Sequence, residues 1–175
     1  MLENYNAYKI LKIFLDNPTE EFRLRELSRM SKISPPSVME YLRYLQEKGF
    51  LRRFSKRDIP FYKALRDNNE FIVMKKISII YELNFSGLVD FLWEELSPDA
   101  IILYGSYAKG ESVEDSDVDI FVIGKEKDIN LTKFEKKLNK KVHLMFEDNV
   151  NKISKELKNN LINGIVLRGY LKVLK

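Results

Sequence analysis

The sequence predicts an α+β chain in two units: helices ending in a basic hairpin, then a short mixed sheet with flanking helices. Three observations predict it. Apolar residues recur at helical spacing as far as Gly49, residues 50–65 alternate as a hairpin does, and two short apolar strands beyond Pro98 are separated by a turn rich in glycine and aspartate. Hydrophobic residues make up 45% and charged residues 32% of the 175, the balance of a chain that folds. No apolar run approaches the roughly 18 residues of a membrane-spanning helix, and Met1-Leu2-Glu3-Asn4 lacks the basic-then-apolar order of a leader. The expected location is the cytoplasm, with no membrane partner. With no cysteine and a single histidine, disulfides, thiolate sites and multi-histidine zinc centres are excluded. Any catalytic metal must be held by oxygen, which points to Mg²⁺ or Mn²⁺.

The first unit is drawn over residues 1–66. Tyr8, Leu11, Phe14 and Leu15 mark a helix closed by Asp16-Asn17-Pro18, and Leu24, Leu27 and Met30 mark a short second one. Lys32-Ile33 reads as a tight turn. Ser34-Pro35-Pro36 opens a third helix, with serine as cap and proline in the first turn, where its missing N–H is not needed. Val38, Leu42 and Leu45 form its buried stripe, while Ser37, Glu40, Tyr41, Arg43 and Tyr44 lie on other faces. Gly49 ends it. Residues 50–54 and 61–65 then form a hairpin around a polar break at Ser55–Asp58.

Charge is unevenly spread. Residues 23–66 hold twelve lysines or arginines against four acids, a local +8 within an overall +4, so the rest of the chain sums to −4. A polyanion is the natural partner of the basic unit. Three helices followed by a basic hairpin resemble a winged helix-turn-helix over about residues 5–66, and the phrase LRELSRMSKISPPSVMEYLRYLQEKGFL resembles that of bacterial and archaeal regulators. The resemblance implies DNA binding, with the third helix in the major groove and Arg52, Arg53, Lys56 and Arg57 of the wing on phosphates. Ser37, Tyr41, Arg43 and Tyr44 are the helix-face candidates, the two tyrosines being equally suited to packing. By analogy with such regulators, a homodimer is possible.

Residues 67–97 are expected to connect the units. After the polar break Asp67-Asn68-Asn69, a helix is marked by Phe71, Met74, Ile77, Ile80 and Tyr81 and interrupted at Asn84-Phe85-Ser86-Gly87; a second runs from Leu88 to Leu96. The Ile, Phe and Trp positions here are taken as core.

The chemistry is expected in residues 98–175. Ala100–Tyr104 reads as a buried strand, Gly105-Ser106 as a sharp turn, Tyr107–Gly110 as a short helix, and Asp117–Ile123 as a second strand ending at Gly124. Alternation along a strand sets Asp117 and Asp119 on one face about 7 Å apart, within reach of one metal cluster. Glycine permits close backbone approach, and a serine hydroxyl with nearby N–H groups suits the phosphates of a nucleoside triphosphate.

The stretch GSYAKGESVEDSDVDIFV, residues 105–122, resembles the signature of the DNA polymerase beta-like nucleotidyltransferase superfamily, in particular its small MNT-type members. The likeness extends over about 88–174, with Ile162–Leu167 as the final strand region. It implies a metal-dependent transfer of a nucleoside monophosphate to a hydroxyl. Gly105, Ser106, Gly110 and Ser116 fall on the nucleotide-binding positions, and Asp117 and Asp119 on the catalytic metal ligands. Lys109 can pair with the γ-phosphate or be plain solvated surface. Active relatives carry a third carboxylate on a later strand; here Lys140-Lys141-Val142-His143-Leu144-Met145-Phe146 sets His143 in that place. Histidine can act as base or ligand, or merely support the aspartates in a domain that no longer turns over. Glu147 shares its alternation but lies about 13 Å on. The later lysines, 133, 136, 137, 140 and 141, read as ordinary polar faces. Two functions remain open: an enzyme targeted by its winged helix, or a DNA-binding regulator whose second half senses a nucleotide or docks a partner. The MNT resemblance adds a HEPN-type protein as a possible acceptor.

Overall fold

The computed structural model describes residues 5–148 and 153–171. Residues 1–4 and 172–175, included above in the first and last domains, lie outside the described residues, as do 149–152. The chain divides into two compact units, Met1–Lys75 and Lys76–Lys175.

In the first unit, α1 (Asn6–Asp16), α2 (Leu24–Ser31) and α3 (Pro35–Glu47) pack around Ile10, Phe14, Leu27, Val38 and Leu42. α1 stops where the Asn17 side chain donates to the Ile13 carbonyl at 2.8 Å and Pro18 follows. Lys32 ends α2 in the left-handed region, φ +58, as the tight turn requires. A three-stranded antiparallel sheet in the order β1-β3-β2 completes the unit, from β1 (Glu21–Phe22), β2 (Leu51–Lys56) and β3 (Ile59–Ala64). Strand β1 was not foreseen: two residues are too few to show a period.

Several local expectations are corrected. Ser34 caps α3 by position only, because its hydroxyl donates to Ser37 Oγ at 3.0 Å instead of accepting from the backbone. Met30 is half exposed, leaving Leu27 as the buried residue of α2. The hairpin turn is shorter than Ser55–Asp58. Pairing runs on through Ser55↔Pro60 and Lys56↔Ile59, and only Arg57 and Asp58 turn, both at positive φ (+49 and +62). Two left-handed residues match the twist of paired strands, the pattern of a type I′ turn.

Helix α4 (Asn69–Ser86) carries the division between units. Its expected interruption at Asn84-Phe85-Ser86 does not occur. Asn84 Nδ2 donates to the Ile80 carbonyl and Ser86 Oγ to that of Leu83, both at 2.8 Å, so these polar side chains bond back onto the helix; it ends only at Gly87, φ +84. Ile77 and Phe85, expected in the core, are 45% and 51% exposed. Phe71 is buried as expected, Lys75, Ile79 and Leu83 are buried as well, and Lys75 Nζ donates to the Leu15 carbonyl at 3.2 Å.

The second unit holds α5 (Leu88–Leu96), β4 (Ala100–Tyr104), α6 (Gly105–Lys109), β5 (Val118–Ile123), α7 (Thr132–Leu138), β6 (Val142–Glu147), α8 (Lys155–Ile162) and β7 (Ile165–Gly169). The sheet order is β6-β5-β4-β7. β4 runs antiparallel to both neighbours, and β5 and β6 are parallel, joined by the crossover that parallel strands require, here through α7. β4 is buried along its whole length. Ile101 and Leu103 share a core with Leu88, Leu92, Phe134 and Leu138, whereas Ile102 and Tyr104 pack with Phe121 and Leu161. β5 begins at Val118, whose N–H donates to the Lys141 carbonyl at 2.9 Å, so Asp117 stands just before the strand. Ile162 ends α8 rather than opening the last strand, which begins at Ile165.

Candidate functional site

The site is built where β4 ends against the start of β5. Tyr104, the last residue of β4, pairs with Asp119, and the chain then turns at Gly105 with φ +71. A Cβ at Gly105 would collide with Asp119 Oδ2, so glycine is needed there for both conformation and space. Ser106 follows, partly exposed, in the first turn of α6, which has no side-chain cap. Gly105, Ser106 and Asp119 therefore meet at one end of the sheet. Gly110 closes α6 at φ +77, and Ser116 ties a turn in which its Oγ accepts from the Val113 N–H at 2.8 Å. Both shape the loop that delivers Asp117, which is exposed; Lys109 is exposed at the last turn of α6.

Parallel pairing sets His143 of β6 directly opposite Asp119. His143 Nδ1 lies 3.6 Å from Asp119 Oδ1, longer than a hydrogen bond. Burial raises the Asp119 carboxyl above the usual carboxylate range, the imidazole opposes that shift, and the Asp117 charge adds to it. Glu147 pairs with Ile123 at the far end of β6, so it does not stand in for the missing acid. Among the described residues, no group of three or more histidines and acids is arranged to hold a metal ion. Two carboxylates beside a glycine-serine turn nevertheless suit a hard cation that takes its remaining ligands from phosphates and water, as Mg²⁺ commonly does.

Tyr104 was missed by sequence reading. Its hydroxyl is raised above its ordinary value by burial and then by the Asp119 charge, and its ring meets Phe121 edge-on at 6.4 Å. Its place immediately before Gly-Ser at a strand end is the only signal that could have flagged it.

In the first unit, Arg43 and Tyr44 are exposed on α3, whereas Tyr41 is half buried against the core and Ser37 is engaged with Ser34. Lys48 lies over the Tyr44 ring at 5.8 Å. On the wing, Phe54 and Phe61 stack at 6.0 Å, and Arg23, Arg52 and Lys56 lie over these rings. Lys56 also bonds Glu21, whose carboxyl that contact holds below its ordinary value. Arg53 and Arg57 are the exposed wing cations outside this cluster.

Residues 85–167 match the family model described as a nucleotidyltransferase domain, and residues 6–54 match the IclR helix-turn-helix domain. No curated protein matches the chain. No described helix is long and apolar enough to cross a membrane.

Proposed function

From a nucleotidyltransferase domain that follows an IclR-type helix-turn-helix domain, we propose an MNT-type enzyme that transfers a nucleoside monophosphate from a nucleoside triphosphate to a hydroxyl acceptor, with the helix-turn-helix domain bringing it to DNA. The observation that carries this reading is the packing of Asp119 against Gly105, which brings a carboxylate and the glycine-serine turn together.

Asp117 and Asp119 would hold Mg²⁺ or Mn²⁺. When bound, such an ion offsets charge developing on the α-phosphoryl group and the departing pyrophosphate. Gly105 lets the backbone approach the triphosphate closely, and the Ser106 hydroxyl donates to a phosphate oxygen. The new bond joins the acceptor oxygen to the α-phosphorus while the bond to pyrophosphate breaks. The acceptor proton passes to the imidazole of His143 or to water.

One observation favours a second reading, in which the domain binds nucleotide without turnover and informs a DNA-binding regulator: His143 occupies the register position opposite Asp119, where active relatives are expected to carry an acid. Incubating the protein with α-labelled triphosphates and candidate acceptors, among them a HEPN-type partner protein, separates the two. Label transfer that requires both aspartates supports the enzyme; tight binding with no release of pyrophosphate supports the sensor.

A further inference from the structure

The segment from Lys125 to Lys141 holds seven lysines against three acids, although the chain outside residues 23–66 is net negative. Its acids offset only part of that charge: Glu126 and Asp128 are exposed among the lysines, and Lys127 is paired with Glu95 at 2.9 Å. Glu135, its side chain 23% exposed, accepts the Val142 N–H at 3.1 Å through one oxygen and lies 4.0 Å from Lys141 Nζ through the other. Two grooves flank α7, of about 680 and 350 Å³, and Thr132 and Lys136 line both. Lys127 and Lys133 line the first together with Glu95 and Asp128, and Lys140 and Lys141 the second together with Glu135, so lysines outnumber acids in both. Lys133 lies 4.7 Å from the Phe91 ring, so the first groove interleaves cation and aromatic face. The track ends at the site, because Lys141 bonds through its carbonyl to Val118, the residue between Asp117 and Asp119.

We propose that this lysine face is a docking track for single-stranded nucleic acid, leading a terminal hydroxyl of the strand toward Asp117 and Asp119. The role of that hydroxyl as acceptor rests on the transfer reading above; the docking itself does not. Cations held in a row with an aromatic ring among them suit a phosphate backbone whose bases can stack, and lysines that seemed a plain solvated face acquire a common direction.

The test uses the full-length protein in an Arg53→Gln/Arg57→Gln background, which removes the two exposed wing cations that lie outside the Phe54–Phe61 cluster. Fluorescence anisotropy with labelled RNA and DNA oligonucleotides, without metal or triphosphate, is compared with the same protein carrying Lys136→Gln, Lys140→Gln and Lys141→Gln. The expected result is roughly tenfold weaker binding and a salt dependence shallower by about 2 in the log–log slope, at about 0.7 per lost phosphate contact. Lys→Arg changes at the three positions should retain binding, and whichever oligonucleotide binds more tightly identifies the strand. Unchanged affinity and slope would overturn the proposal, and so would equal displacement of the strand by poly-glutamate, which would make the face a generic surface for acidic proteins. Lysine-dependent binding without label transfer to the strand leaves the docking standing and removes the strand as acceptor; label transfer to another acceptor with lysine-independent strand binding overturns the docking and leaves the transfer reading standing.

Discussion

Asp119 Oδ2 occupies the space that a side chain on residue 105 would need, so Gly105 and Asp119 are a matched pair across β4 and β5. Gly105→Ala should therefore fail twice. Alanine at φ +71 costs about 1–2 kcal/mol, and its methyl displaces the carboxylate. Urea unfolding should show that loss, and calorimetry should show metal-dependent nucleotide binding weakened well beyond what the lost stability accounts for.

The raised carboxyl of Asp119 predicts a pH signature. A group that titrates higher when folded contributes stability below its unfolded pKa, near 3.9, and loses it as pH rises through the folded value. Near neutrality the partly buried charge, its side chain 30% exposed, thus opposes folding. Asp119→Asn should raise the unfolding midpoint near neutral pH, with the gain vanishing below about pH 4. In the unaltered protein, metal-dependent nucleotide binding should begin to fall at a higher pH than an ordinary aspartate would dictate.

His143→Asp exchanges an imidazole that favours ionised Asp119 for a like charge in the same register position. An NMR titration should find the Asp119 carboxyl moved further upward without metal, and the variant should bind Mg²⁺ more tightly. His143→Ala should lack the second effect.

On the wing, Arg53→Ala/Arg57→Ala should make the salt dependence of duplex DNA binding shallower by about 2, at about 0.9 per phosphate contact. Lys56→Ala should change it less, since that ammonium is held by Glu21 and the Phe54–Phe61 stack.

The burial of α4 makes a further contrast. Ile77→Gln should lie within about 0.5 kcal/mol of the parent, whereas Ile79→Ala should cost about 2–4 kcal/mol by thermal or urea unfolding.

These last two contrasts mark where sequence reading reached its limit. The α3 stripe Val38, Leu42 and Leu45 was legible because apolar residues there fall on one face and polar ones on the others. In α4 apolar residues occur all round, so periodicity could not choose between Ile77 and Ile79, and a buried Lys75 bonded to a backbone carbonyl has no apolar signature. The glycine-serine turn, its two strands and the place of Asp119 on the second were legible from local alternation and spacing, whereas Asp117 stands just before the strand that alternation assigned it to. The Tyr104–Asp119 pairing was not, since it depends on the register of β4 against β5, and neither was the tie between Lys141 and Val118 that aims the lysine face.

The most direct test of the central claim is isothermal calorimetry of ATP, GTP, CTP and UTP with and without Mg²⁺, on the protein and on Asp117→Asn/Asp119→Asn. A live nucleotide site predicts that at least one triphosphate binds only when both the metal and the two carboxylates are present. Binding that is indifferent to the aspartates, or absent for every triphosphate, would contradict it.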